Sequence, residues 1–71
     1  MHYYVFSFVI DRKNKNPEHG NCVMRHTIKA TVNDFVTHVK SFYAGPKPYD
    51  RISIPKWEQI SEAEYIKLKV N

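Results

Sequence analysis

TVNDFVTHVKSFYAGP, Thr31 to Pro46, holds a helix whose start, buried face and end are each legible in the residues. Val32, Phe35, Val36, Val39, Phe42 and Tyr43 recur at helical spacing on one side, while Asn33, Asp34, Thr37, His38, Lys40 and Ser41 fill the other. Thr31 can cap the first turn. Asp34 brings a carboxylate three residues later, where the positive end of the helix dipole favours it, and Gly45-Pro46 is a stop signal.

Upstream, Cys22 to Ala30 alternates, with Cys22, Met24, His26, Ile28 and Ala30 on one side and Val23, Arg25, Thr27 and Lys29 on the other, as in a half-buried strand. Asp11 to Asn21 has no strongly apolar residue and contains Asn, Pro, Gly and charges, so it is expected to be an exposed loop. Its length alone makes it a candidate site. Tyr3 to Ile10 is rich in aromatic and β-branched residues and lacks Gly and Pro. In a strand, Tyr4, Phe6, Phe8 and Ile10 share the heavier face, expected inward, and Tyr3, Val5, Ser7 and Val9 share the other.

Downstream, Ala44 to Pro48 is a turn-rich link, and Asp50 to Ile54 reads as a short strand with Ile52 and Ile54 inward and Pro55 limiting its ladder. Ser61 with Glu64 forms a capping box, and Ile60 with Tyr65 a hydrophobic staple, for a final helix from Glu62 to about Lys69. A strand competes there, because Ile66, Leu68 and Val70 alternate with Lys67 and Lys69.

The expectation is a small α+β domain of ββαβα order with no internal repeat. A right-handed crossover through the main helix would place the third strand beside the first and parallel to the second, giving sheet order 2-1-3 with one face under the helix. The expected core is Tyr4, Phe6, Phe8, Met24, Ile28, Phe35, Val36, Val39, Phe42 and Ile52. The other face would carry Tyr3, Val5, Ser7, Val9, Val23, Arg25, Thr27, Lys29, Arg51 and Ser53, free unless the final helix folds back over it.

The 71 residues support one domain and one modest core, burying about 60% of the unfolded surface. A single cysteine, Cys22, forms no internal disulfide and suits a reducing compartment. MHYYVFSFVI lacks a basic residue before its apolar run and a small-residue cleavage site after it, so it reads as a strand and not a signal peptide. No apolar run approaches the roughly 20 residues of a membrane span, and the expected home is the cytoplasm. The net charge of +4 favours an acidic partner, although the cations are dispersed.

His19, Cys22 and His26, with His2 or His38 as a fourth ligand, are the residue types a zinc site uses. In an extended strand, however, Cys22 and His26 stand roughly 13 Å apart, so no metal is expected. No nucleophile elbow, Gly-rich phosphate loop or H-E-x-x-H pair is present, and Glu58, Glu62 and Glu64 surround a helix start where dipole stabilisation is their ordinary role. The chain is therefore expected to be neither an enzyme nor a cofactor carrier.

Two binding classes remain. Tyr3, Val5, Val23, Arg25, Thr27, Lys29 and Arg51 combine aromatic, apolar and arginine groups of the kind interface hot spots favour, with Arg12, Lys13 and Lys15 of the loop extending them. The lead expectation is a small binding protein, adaptor or inhibitor, that docks on a larger protein or protein complex, with a homodimer as another way to cover the face. The alternative is a basic nucleic-acid-binding module, using the same cations for phosphates and Tyr3 for stacking. Trp57 is expected to cap the end of the core. A compact basic domain with a capped helix against a small sheet resembles, in build alone, accessory proteins of phages and mobile elements, some of which block host enzymes or defence complexes.

Overall fold

Alternation along the first strand decides the packing. The computed structural model describes residues 1–42 and 51–70, in the order β1 (His2–Asp11), β2 (Glu18–His26), α1 (Val32–Phe42), β3 (Arg51–Ile60) and α2 (Glu62–Val70). Tyr43, the Gly45-Pro46 stop, Tyr49, Asp50 and the link between them lie outside the described residues. The sheet order is β2-β1-β3, with β1 antiparallel to both neighbours, so β2 and β3 run parallel to each other as expected. Tyr4, Phe6, Phe8 and Ile10 are all buried, and with Met24, Ala30, Phe35 and Val39 they form one core under α1. Ile52 and Ile54 are half-buried and pack against it.

The β1–β2 connection is shorter than the expected loop over Asp11 to Asn21. Glu18 to Asn21 belong to β2, with Ile10 opposite Glu18 and Phe8 opposite Gly20, so only residues 12–17 connect the strands. The Lys15 N–H donates to the Arg12 carbonyl at 3.3 Å, and Asn14 takes φ 62°, a left-handed conformation that asparagine tolerates. An Arg12–Glu18 ion pair closes the base of the turn. Gly20 is in the strand because of what lies over it. A Cβ there would come within 3 Å of two atoms of the Phe8 ring, so the missing side chain is the space the ring occupies.

β2 ends at His26, not Ala30, and the chain bends at residues 27–28. Ile28, expected in the core, is therefore turned outward and is 65% exposed. Thr27 and Lys29 likewise leave the sheet. Ala30 is buried for a different reason: its N–H donates to the Tyr4 hydroxyl at 2.9 Å, which satisfies a buried phenol and ties the entry to α1 down onto β1.

α1 opens on a reciprocal cap. The Thr31 N–H donates to the Asp34 carboxylate at 2.7 Å, and the Asp34 N–H points back at Thr31 Oγ1 at 3.4 Å. That backbone donor holds the Asp34 carboxyl below its ordinary value. Phe35 and Val39, one turn apart, are fully buried, with the Phe35 ring stacked on Phe6 at 4.8 Å and edge-on to Tyr4 at 5.3 Å. The stripe is narrower than its periodicity suggests. Val36 is only half-buried, and Phe42, expected in the core, is 70% exposed because it lies a turn beyond the covered stretch. His38, assigned by spacing to the polar side, is instead half-buried, its ring 6.0 Å from that of Phe6 and 4.6 Å from that of Phe42.

β3 does not stop at Pro55. Ser7 faces Lys56 and Val9 faces Ser53, so Ile54 and Pro55 together oppose Phe8 in a β-bulge. A proline without an N–H removes no ladder bond at a bulge in an edge strand, and the pairing continues to Ile60 opposite Tyr3. That extension brings Trp57 opposite Phe6, where its ring lies 5.4 Å from Phe35 and 6.1 Å from Tyr4. It caps the core edge as expected, while remaining 43% exposed.

α2 is a helix, as the capping box indicated. The Glu64 N–H donates to Ser61 Oγ at 3.1 Å, and the Tyr65 N–H to the Ser61 carbonyl at 2.9 Å.

Candidate functional site

Cross-strand register lays out the sheet face opposite α1 as a grid. Its rows run Arg25–Tyr3–Ile60, Val23–Val5–Glu58, Asn21–Ser7–Lys56 and His19–Val9–Ser53, and Asp11 faces Arg51 at the far end. The first row is partly covered, with Tyr3 and Ile60 half-buried and Arg25 exposed. α2 turns back from Ile60 and lays Tyr65, 8% exposed, against Tyr3 with ring centroids 5.0 Å apart. Within the same helix, Lys69 stands over the Tyr65 ring, its Nζ 5.5 Å from the centroid.

Beyond this end the face carries no helix among the described residues. Val5, Val9 and Val23 are half-buried, and between them the Ser7 hydroxyl donates to Asn21 Oδ1 at 2.9 Å. The face thus shows the Val5–Val23 pair and, beyond the polar Ser7 row, Val9, among hydrogen-bonding groups and Lys56, Arg51 and Glu58.

The expected site residues therefore divide. Tyr3, Val5, Val23 and Arg25 do share one end of the face, whereas Thr27 and Lys29 lie past the end of β2. Arg51 lies at the opposite corner, about 26 Å away along an extended strand, where it shares a shallow depression with Asp11, Arg12 and Lys13. Arg12 is engaged with Glu18, and Lys15 is exposed on the turn. These groups form two separate basic corners, not one continuous basic surface.

The candidate zinc ligands do not share a side of the sheet. His19, opposite Val9, belongs to the open face, while Cys22 and His26, opposite Phe6 and His2, belong to the helix side. Among the described residues no three of His, Cys, Asp or Glu converge on one point, and no charged or histidine side chain is buried. The His2 ring is instead 3.1 Å from Gln59 Nε2, and the His26 ring 3.1 Å from the Ile28 carbonyl.

A second feature was not anticipated. Along the outer edge of β2 runs a groove of about 560 Å³, floored by residues 22–25 and walled by His38 and Phe42 of α1 and by Tyr65 and Lys69 of α2. Desolvation against the Phe6 and Phe42 rings holds the His38 imidazole below its ordinary pKa, favouring the neutral ring.

No helix among the described residues is long and apolar enough to cross a membrane. No family model, curated protein or solved structure matches the chain.

Proposed function

We propose that this is a small non-catalytic binding protein, of adaptor or inhibitor type, that docks on a larger protein through the part of the open sheet face that α2 leaves bare. The observation that carries this reading is three half-buried valines, the Val5–Val23 pair and Val9 across the Ser7–Asn21 row, on a face otherwise built to meet water, with the Lys56 and Arg51 cations on the same face. A nucleic-acid surface would need an accessible ring for stacking. Tyr3, the aromatic that reading relied on, is instead packed against Tyr65, and the cations are split between two corners, so the protein reading has the better support.

The test is co-purification from nuclease-treated extract at moderate salt, with the unaltered protein and a Val9→Glu variant as paired baits. A protein retained stoichiometrically by the first and lost by the second, at equal melting temperature, is the expected outcome. A steeply salt-sensitive shift of DNA or RNA, with no protein retained, would replace it with the nucleic-acid reading.

A further inference from the structure

Midway along the open face lies a small depression of about 210 Å³, lined by Val5, Ser7 and Asn21 and by Lys56 and Glu58 of β3. We propose that it is the anchor point of the docking face and takes the side-chain carboxamide of an asparagine or glutamine carried on a protruding turn of the partner protein. The inference rests on docking through that face and names what the partner brings to it.

Size sets the first limit. The volume is below the roughly 300–1,000 Å³ of pockets for drug-sized ligands, so it holds one side chain and not a helix or strand. Register then sets the charges. Lys56 and Glu58 face Ser7 and Val5 from the same side of β3, two residues and so roughly 7 Å apart along the strand. Both are exposed, and among the described residues neither side chain has an ion-pair or hydrogen-bond partner. Across the row, the Ser7 hydroxyl donates to Asn21 Oδ1, and the Asn21 N–H groups have no acceptor among the described residues. The depression thus offers donors at Lys56 and Asn21 and an acceptor at Glu58, beside the half-buried Val5.

One neutral group answers all of these. An amide accepts through its C=O and donates through its N–H groups, and with hydrogen bonds of about 2.9 Å on either side it spans a gap of that length. A carboxylate would pair with Lys56 but meet Glu58, and an ammonium or guanidinium would do the reverse. An aliphatic side chain would strip water from both charges and replace none of it.

The shape of the face selects how the group arrives. Direct packing of two sheets needs them about 10 Å apart, and α2, itself about 10 Å across, already stands over Tyr3 on the same face. A flat surface, a second copy of this face included, is therefore held off. A turn projects past such a step, and asparagine is among the residues that turns favour.

The test uses disulfide-closed hairpin peptides that differ only at the turn tip, which carries asparagine, aspartate or 2,4-diaminobutyrate, titrated into the 15N-labelled protein. The expected result is saturable shift changes confined to residues 5–7, 21 and 56–58, with the asparagine hairpin about fivefold tighter or more than either charged one. Glu58→Gln should turn the preference to the aspartate hairpin and Lys56→Met to the diaminobutyrate hairpin, each at an unchanged melting temperature because both side chains are exposed. Tightest binding of a charged tip by the unaltered protein, a ranking that neither variant changes, shift changes elsewhere, or no saturable binding would each overturn the proposal. None of these outcomes needs the natural partner. Failure here, with Val9→Glu still releasing a retained protein, removes the carboxamide anchor and leaves docking on the face standing.

Discussion

α1 and α2 begin with the same device and end in different roles. Each has a hydroxyl cap, Thr31 or Ser61, with an acidic residue three positions on, and each cap receives the expected backbone N–H. Beyond the cap they diverge. α1 sends Phe35 and Val39 fully into the core, whereas α2 buries one ring, Tyr65, and leaves Ile66 and Leu68 at 52% and 39% exposure. A cap decides where a helix begins, while the sidedness of its apolar residues decides how firmly it is held. α1 is part of the core. α2 is a flap that follows directly on the end of β3 and, among the described residues, is fastened by the Tyr3–Tyr65 ring pair, the Lys69 contact with Tyr65 lying within the helix itself.

The largest effect that could break this contrast is Phe35→Ala. Removing a fully buried ring that touches Phe6, Tyr4 and Trp57 should cost about 3–5 kcal/mol in urea unfolding, enough to abolish folding in a domain this small. A comparable loss from Tyr65→Ala would mean that α2 is part of the core. We expect about 2 kcal/mol or less there, with the β1–β2 ladder retained in amide exchange and the α2 amides losing protection first.

The caps sharpen the comparison at a finer scale. Thr31→Ala and Ser61→Ala should each remove about 1 kcal/mol of local helix stability. Only the first should appear in full in global unfolding, because opening α2 need not open the sheet; α2 helicity, followed by carbonyl chemical shifts, should report the second. Equal global losses would join the two helices into one cooperative unit.

The smallest expected effect is a pH dependence at His38. Its folded pKa is depressed by desolvation, so the unfolded chain binds the proton more readily. Its contribution is therefore complete above the ordinary value of 6.5 and is lost as pH falls from there through the lowered folded value. Melting temperatures of the native protein should decline across this window more than those of His38→Gln. Asp34 acts lower: its depressed carboxyl contributes above its ordinary 3.8, and that contribution is lost as pH falls through the still lower folded value.

Where the sequence and the structure agree, a period carried the information over many residues. The even positions of β1 could face only one way, and the cap, stripe and length of α1 reinforced one another. Disagreements fall where one residue's meaning depends on a distant neighbour. Gly20 has the composition of a turn and the position of a strand, and only the Phe8 ring above it separates the two. Pro55 reads as a strand end until a bulge opposite Phe8 accommodates it. Ile28 continued the alternation of β2, but the Tyr4 hydroxyl holding the Ala30 N–H lies at the other side of a bend that periodicity does not register. The open face was legible as a face, yet its cover by Tyr65 was one of several readings. β2 as an edge followed from the expected 2-1-3 order, but the groove beside it was not legible, because its floor and its two walls come from three elements far apart in the chain.

Pro55 and its bulge also limit how this protein can fail. Stacking of sheets into fibrils requires every unit to receive a strand on one flank and donate one on the other, as a polymer requires bifunctional monomers. A sheet whose β2 flank is continuous and whose β3 flank is interrupted is closer to monofunctional. Strand exchange at β2 would stop at a closed pair instead of propagating, because only one flank of the sheet offers an unbroken strand.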